Sequence, residues 1–314
     1  MSGGLRYLLA DVFTDRAFGG NQLAVFPDGG SVPPELMPRI ARELNLSETV
    51  FVLPPERTDH TARMRIFTPG SELPFAGHPT VGTACILVAD GRVETVASGK
   101  DLHADLMLEQ VVGPIRVRVR SSDDGYSAQF DVPRLPEFGP EAPAMGELAE
   151  ALSLREDDLA GGAWQPQAVS CGVPFLMVPV RDRGALARAR LNTARWERLL
   201  EPYWAPHVYV TTRDVELEGS SIRARMFAPG MGIDEDPATG AAASALSGYL
   251  AAREPADTPH LSWRIEQGLE MGRPSIIEVE ADQSEGRLTA VRVGGGCVMM
   301  GEGMLDLPGA LDRA

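Results

Sequence analysis

Cysteine is scarce in this sequence of 314 residues, and the three that occur lie far apart, at Cys85, Cys171 and Cys297. An odd and scattered set does not form the disulfide framework of a small secreted domain. Residues 1–9 also lack the basic start and the long apolar core of a signal peptide. The cytoplasm is therefore the expected compartment.

Basic residues are in deficit, since 29 Lys and Arg accompany 44 Asp and Glu, for a net charge of −15. So acidic a chain lacks the basic face that nucleic acid or an anionic membrane would require. No stretch approaches the roughly 18 uninterrupted apolar residues of a membrane-spanning helix. A small anionic metabolite is still allowed as a partner, because helix dipoles can oppose the global charge locally.

Metal-ligand spacings and nucleophile motifs are missing as well. The five histidines are far apart, and no HxxxH, CxxC or GxSxG pattern occurs. These absences argue against a metal site and against a serine hydrolase. Acid/base chemistry by carboxylates and histidine is what remains.

The length favours two domains, and a proline-rich segment separates two parts of the chain. Val132–Pro143 contains four prolines in twelve residues. We therefore predict an N-terminal lobe over residues 1–131 and a C-terminal lobe over residues 132–314, with the terminal strands allowed to cross between lobes. Strands and a few apolar helices alternate without a regular βαβ rhythm, which predicts an α+β fold.

One stretch, Met64–Leu87, carries the strongest local signal. A β-branched and aromatic run, which predicts a strand, ends at Pro69-Gly70. His78-Pro79 then opens an apolar helix, with His78 at the predicted N-cap and Pro79 at the first helical position. Because such a helix is buried on most sides, its first N–H groups must meet water or an anionic ligand.

The same design occurs a second time in the chain, which predicts two pseudo-symmetric lobes. Asp236-Pro237 is expected to match His78-Pro79, and to open a small-residue helix over Ala238–Ala252. Two helix N-termini that face each other across a cleft would form one anion-binding site. The other matching segments are Arg65–Gly70 with Arg225–Gly230, Leu108–Gln110 with Ile265–Gln267, and Gly20–Phe26 with Gly172–Val178.

Glu48 and Asp236 are the acidic residues of interest. A lone Glu beside a strand is usually solvated, but Glu48 enters the apolar run Thr49–Val52, where burial would raise its pKa and make it a usable base. Asp236 before a proline at a helix start is explained by capping alone. Only its position in the repeat favours a role in a site.

These segments resemble the PhzF-like (phenazine biosynthesis) family, which has the fold of diaminopimelate epimerase. The resemblance implies two lobes, each a barrel-like sheet around one central helix, with no cofactor and no metal, and commonly a homodimer. It implies catalytic roles for Glu48, His78 and Asp236. The matching segments are Asp11–Thr14, Gly20–Phe26, Leu46–Thr49, Phe75–Thr80 and Glu235–Gly240, and the implied substrate-binding positions are Asn21, Ser47, Gly77, Gly240 and Ala241.

Two departures from the related pattern limit the expected reaction. The epimerase relatives use one cysteine at each helix start, where this chain has Ala76 and the Asp236-Pro237 region, so a two-thiol racemase is not expected. Ala241 stands where the phenazine-pathway enzyme has a serine, so one substrate hydrogen bond is lost and the phenazine precursor is not assigned as the substrate.

The preferred interpretation is a cofactor-independent isomerase that moves a proton on a small amino- or hydroxy-carboxylate. One alternative is a metabolite-binding protein without turnover, which would have no need of a buried base. Another is a one-base epimerase or a dehydratase, which would share the site but form a different product.

Overall fold

The computed structural model describes residues 4–307, which fold into two compact units. The first unit contains residues 4–131 and 294–307, and the second unit contains residues 132–293. Residues 294–307 belong to the first unit because the last strand of the chain pairs with the first strand. No helix in the described part of the chain is both long and apolar enough to cross a membrane.

The secondary structure is dominated by strands. In chain order the strands are β1 (Leu5–Val12), β2 (Asn21–Phe26), β3 (Glu48–Leu53), β4 (Ala62–Phe67), β5 (Glu72–Leu73), β6 (Val96–Ser98), β7 (Asp101–Gln110), β8 (Gly113–Ser122), β9 (Gly125–Asp131), β10 (Glu137–Phe138), β11 (Gln167–Ser170), β12 (Pro174–Pro179), β13 (His207–Thr212), β14 (Ile222–Ala228), β15 (Ile233–Asp236), β16 (His260–Gln267), β17 (Ser275–Ser284) and β18 (Arg287–Leu305). The α-helices are α1 (Met37–Leu44), α2 (Gly77–Ala89), α3 (Met145–Ala151), α4 (Arg183–Arg188), α5 (Thr193–Leu199) and α6 (Gly240–Ala251).

The strands of the first unit form a ring around α2. Neighbours pair in the order β18, β1, β2, β3, β4, β7, β8 and β9, and β9 pairs in turn with β18. At this closure a Cβ on Gly294 would lie 2.5 Å from the carbonyl oxygen of Ala128, so only glycine fits. Helix α2 is apolar on all sides, and residues 77–87 are all buried within the ring.

The second unit repeats this arrangement around α6. Its strands pair in the order β11, β12, β13, β14, β16 and β17, with parallel pairs at β12–β13 and β14–β16. Small residues let α6 pack closely on β11, β12 and β17. The short helices α3, α4 and α5 cover a separate apolar cluster that includes Leu148, Leu186 and Trp196.

The repeat extends to individual hydrogen bonds. In the first unit the Glu109 carboxylate accepts the backbone N–H groups of Glu56 and Arg57, at 2.8 and 3.0 Å. In the second unit the Glu266 carboxylate accepts two backbone N–H groups in the same way, both at 2.7 Å. Matching ion pairs accompany them: Arg63 with Glu56, Arg65 with Glu72, Arg223 with Glu216, and Arg225 with Glu235.

Strand register corrects the expected match between Asp236 and His78. Ile66 of β4 pairs with Leu73, and Met226 of β14 pairs with Asp236, so Asp236 occupies the position of Leu73. Counting onward from these pairs, His78 corresponds to Ala241 and Pro237 to Pro74. The shared dipeptide was misleading because backbone pairing, not local similarity, sets the register.

The predicted helix starts are also corrected. The N-cap of α2 is Ala76, with extended φ and ψ of −150° and 142°, so His78 is the second helical residue and not the cap. Helix α6 begins at Gly240, with Thr239 at the N-cap, and not at Ala238. Gly77 and Gly240 are therefore the equivalent first residues of the two central helices.

Candidate active site

Glu48 is the first residue of β3 and is almost completely buried, with 7% of its surface exposed. The chain reaches it from α1, which ends at Asn45 in the left-handed conformation at φ 52°. Thr49, Val50 and Phe51, which follow, are fully inaccessible to solvent. The apolar strand thus draws the carboxyl group into the interior of the first unit.

His78 of α2 contacts this carboxyl group. Its Nε2 atom lies 3.4 Å from Oε2 of Glu48, and the histidine is 4% exposed. Burial lowers the pKa of His78 to about 3, and a hydrogen bond with the backbone of Gln22 opposes this only in part. The imidazole is therefore neutral at pH 7, so its contact with Glu48 is not a salt bridge.

The start of α2 brings backbone groups to the same place. Within the described residues no side chain caps this helix, and Pro79 has no N–H to offer. The Thr80 hydroxyl and N–H both donate to the Ala76 carbonyl, at 2.7 and 3.3 Å. Gly77 and His78 thus supply the first N–H groups at the positive end of the helix dipole.

Asn21 and Ser47 lie at the same edge of the first unit. Strands β2 and β3 are parallel, with Leu23 beside Glu48, so Asn21 at the start of β2 and Ser47 just before β3 share that edge. Asn21 is 1% exposed, and Ser47 is half-buried. The first unit therefore gathers five of the predicted site residues: Asn21, Ser47, Glu48, Gly77 and His78.

The second unit contains the other predicted site residues, Asp236, Gly240 and Ala241. Asp236 is the last residue of β15 and is 5% exposed. Its Oδ2 atom accepts the Thr239 hydroxyl at 2.5 Å. The N-cap of α6 is Thr239, so Asp236 does not cap this helix as predicted. Its carboxylate instead accepts the hydrogen bond from the Thr239 side chain.

Two further residues near Asp236 were not predicted from the sequence. Gln267 donates through Nε2 to the Asp236 carbonyl at 2.8 Å, and the Tyr209 hydroxyl donates to Gln267 Oε1 at 3.0 Å. Both side chains are fully buried, and burial raises the pKa of Tyr209 well above its usual value. The sequence feature that could have indicated Gln267 is the repeated Glu-Gln pair, Glu109-Gln110 and Glu266-Gln267.

The thiols lie outside these groups and are all buried. Burial raises the pKa of Cys171 to about 12. Interaction with Cys85, together with burial, raises the pKa of Cys297 well above its usual value. Cys171 and Cys297 are therefore not thiolate bases at pH 7. Among residues 4–307 no three His, Cys, Asp or Glu side chains are grouped as metal ligands.

Sequence comparison finds relatives of this chain along almost its whole length. The family described as phenazine biosynthesis-like protein matches residues 10–303. An uncharacterized isomerase of Mesorhizobium japonicum is 40% identical, over 95% of this chain and 98% of that protein. A trans-2,3-dihydro-3-hydroxyanthranilate isomerase of Pseudomonas aeruginosa is 34% identical, over 95% of this chain and 98% of that protein.

A solved structure supports the fold. The PhzF-family phenazine biosynthesis protein of Bacillus anthracis superimposes with a TM-score of 0.84 at 24% identity, over 96% of this chain and 99% of that one. The expected α+β fold, with a sheet around a central helix in each unit, is thus confirmed. The chain therefore belongs to the phenazine biosynthesis-like (PhzF) family of isomerases.

Proposed function

We propose that this enzyme moves a proton on a small amino- or hydroxy-carboxylate without a cofactor, and that Glu48 carries the proton. The observation behind this proposal is the buried contact between the Glu48 carboxyl and the neutral His78 imidazole. A carboxyl group in such surroundings can exchange a proton with carbon more readily than a solvated one. A protein that only binds a metabolite has no need of this arrangement.

His78 is proposed to stabilise the protonated form of Glu48. The hydrogen bond with the Gln22 backbone raises the pKa of His78, as expected when a ring N–H donates to a carbonyl. Because Nε2 faces Glu48, the donor is then Nδ1, and Nε2 keeps its lone pair. A Glu48 carboxyl that has taken a proton can donate it to that lone pair while it waits to return it.

The reaction follows from this cycle. Glu48 removes a proton from a carbon beside an unsaturated system, the double bond shifts, and Glu48 returns the proton to another carbon on the same face. The substrate carboxylate is proposed to bind at the start of α2, where N–H groups and the helix dipole favour an anion. Asn21 and Ser47 supply polar contacts at that edge, and Asp236 and Gly240 are included because of the family resemblance.

The name of the Pseudomonas aeruginosa relative supplies the first compound to test. Trans-2,3-dihydro-3-hydroxyanthranilate carries the hydroxyl and carboxylate groups expected here. Ala241 offers no side-chain hydroxyl. The same panel therefore includes related compounds without the polar group that a hydroxyl at this position would bind. Cyclic and unsaturated amino acids complete the set.

Solvent deuterium exchange tests the proposal. The enzyme is incubated with each compound in deuterated buffer, and NMR locates any deuterium. Deuterium on a new carbon, with a shifted double bond, is the expected result. Deuterium on the original carbon would indicate a one-base epimerase, and loss of water a dehydratase. Binding by calorimetry without exchange in any compound would contradict the proposal and favour a metabolite-binding protein.

A further inference from the structure

The side chain of Gln267 is held in one orientation by its partners. The Asp236 carbonyl can only accept, so the amide nitrogen Nε2, at 2.8 Å, must face it. The Oε1 atom accepts the Tyr209 hydroxyl at 3.0 Å and the Thr239 N–H at 3.4 Å. Three partners therefore fix which end of the amide is the donor.

This orientation determines the direction of the Thr239 hydroxyl. Gln267 Nε2 also donates to Thr239 Oγ1 at 3.0 Å, so the one hydroxyl proton is left to point elsewhere. Its acceptor is Asp236 Oδ2, at 2.5 Å. Oδ2 thereby accepts a directed hydrogen bond that lowers its basicity, so Oδ1 is the favoured position for a proton on Asp236.

The first unit lacks this network although it has the same scaffold. Gln110 stands where Gln267 does, and its Nε2 donates to Thr80 Oγ1 at 2.8 Å. Within the described residues its buried Oε1 has no hydrogen-bond partner. Apolar residues occupy the other three positions of the network: Val50 for Tyr209, Ala76 for Thr239 and Leu73 for Asp236.

The difference between the two units shows that the network is not part of the common strand scaffold. Strands pair around a central helix in both units, so the network is not required to build this scaffold. The network occurs in the second unit, where Asp236 supplies a carboxylate at the position that Leu73 occupies in the first unit. Tyr209 and Gln267 are fully buried, and Thr239 is 9% exposed, so its members are held away from competing water.

We propose that Gln267, acting through Thr239, is a positioning residue that selects the oxygen atom of Asp236 able to carry or release a proton. The proposal rests on the proposed function, in which Asp236 belongs to the site. Loss of the amide would free the Thr239 hydroxyl to rotate and would remove a directed donor from Asp236. Because a misplaced catalytic group affects the chemical step, kcat should fall about 10- to 100-fold with little change in KM.

The test uses the full-length protein labelled with ¹³C in its aspartate carboxyl carbons, with Asp236→Asn to assign the signal. Carboxyl titration is followed in Gln267→Leu, Thr239→Val and Thr239→Ser. Gln110→Leu is the matched control, because it removes the equivalent amide from the unit without the network. Deuterium exchange supplies kcat and KM for the same variants.

We expect Gln267→Leu and Thr239→Val each to raise the pKa of Asp236 relative to the unsubstituted protein, since a donor to the ionised carboxylate is lost. Thr239→Ser keeps the hydroxyl and should restore the original titration. Gln267→Leu added to Thr239→Val should give no further rise, because both act through one hydrogen bond. Gln110→Leu should leave the Asp236 titration unchanged.

An Asp236 titration that Gln267→Leu leaves unaltered, while Thr239→Val shifts it, would overturn the proposal. An equal shift in Gln110→Leu would do the same, because it would show a general effect on the fold. If Gln267→Leu does not fold, Tyr209→Phe replaces it, and we expect a smaller rise in the pKa of Asp236. An unchanged Asp236 titration in Tyr209→Phe would then contradict the proposal. The titration needs no substrate, so it remains decisive even where no compound exchanges and the proposed function fails.

Discussion

The two units place different polar groups around the same end of their central helices. In the first unit a carboxyl and an imidazole, those of Glu48 and His78, lie 3.4 Å apart among apolar residues. In the second unit Asp236 belongs to a hydrogen-bond network with Thr239 and Gln267. The groups that hold the strands together, Glu109 and Glu266, are by contrast the same.

Equivalent strand positions in the two units carry different titratable side chains. Glu48 begins β3 beside Leu23, and His207 begins β13 beside Phe175, in identical register. His207 is 8% exposed, its ring packs 5.8 Å from Phe175, and burial lowers its pKa to about 4. The two units thus share the backbone scaffold, whereas their buried titratable groups differ in type and position.

The largest expected difference in exchange rate lies between variants of Glu48 and His207, the first residues of β3 and β13. Glu48→Gln keeps the shape of the side chain but cannot take a proton, so deuterium exchange should fall about 10²- to 10⁴-fold while an analogue still binds. His207→Gln, at the equivalent position, should lower exchange less than about tenfold. NMR exchange rates and calorimetry measure both. Exchange at the original rate in Glu48→Gln would mean that another residue is the base.

A large loss of stability is expected at Glu266. This carboxylate is fully buried and accepts two backbone N–H groups, so Glu266→Gln should cost about 3 kcal/mol of unfolding free energy. Glu109→Gln in the first unit should cost less, because the Glu109 side chain is 12% exposed. Chemical denaturation of both variants checks the difference. Equal losses would show that the two carboxylates are equivalent in stability as well as in geometry.

Acid should destabilise both units through their buried histidines. The pKa of His78 is lowered to about 3 and that of His207 to about 4, so below the usual value near 6.5 only the unfolded chain takes up these protons. Stability is therefore greatest above that pH and falls as the pH drops towards the folded pKa values. Each histidine should account for about 2 kcal/mol between pH 7 and pH 5.

Denaturation at a series of pH values measures this effect. His78→Gln and His207→Gln should each flatten the dependence of unfolding free energy on pH. Substitution of the exposed His103 provides the control. An unchanged slope in His78→Gln would show that His78 has the same pKa in the folded and unfolded chains, which would contradict an imidazole held neutral by burial.

The smallest effect is expected at the thiols. Cys85 and Cys297 of the first unit and Cys171 of the second unit are buried, and we expect them to contribute packing rather than proton transfer. Single changes to alanine should leave the exchange rate within about tenfold. A loss near a thousandfold in a folded variant, which is the scale of a missing general base, would contradict a thiol-free reaction.

Several features followed from the sequence alone because they depend on local patterns. The apolar run after Glu48 predicted its burial, and the nearly all-apolar composition of Val81–Val88 predicted a buried helix. Repeated Arg and Glu-Gln segments predicted two related halves, which the paired hydrogen bonds of Glu109 and Glu266 bear out. The motifs also identified the family.

The tertiary structure decided what depends on pairing between distant residues. The match of Asp236 with Leu73 is set by strand register, which a one-residue slip would change and which dipeptide similarity does not encode. Tyr209 and Gln267 are 58 residues apart and meet only because β14 lies beside both β13 and β16. The sequence by itself thus determined that Glu48 and the first central helix are buried and which segments repeat. The backbone pairing determined which oxygen, nitrogen and hydroxyl groups come within hydrogen-bonding distance, because those distances are fixed only once the strands are in register.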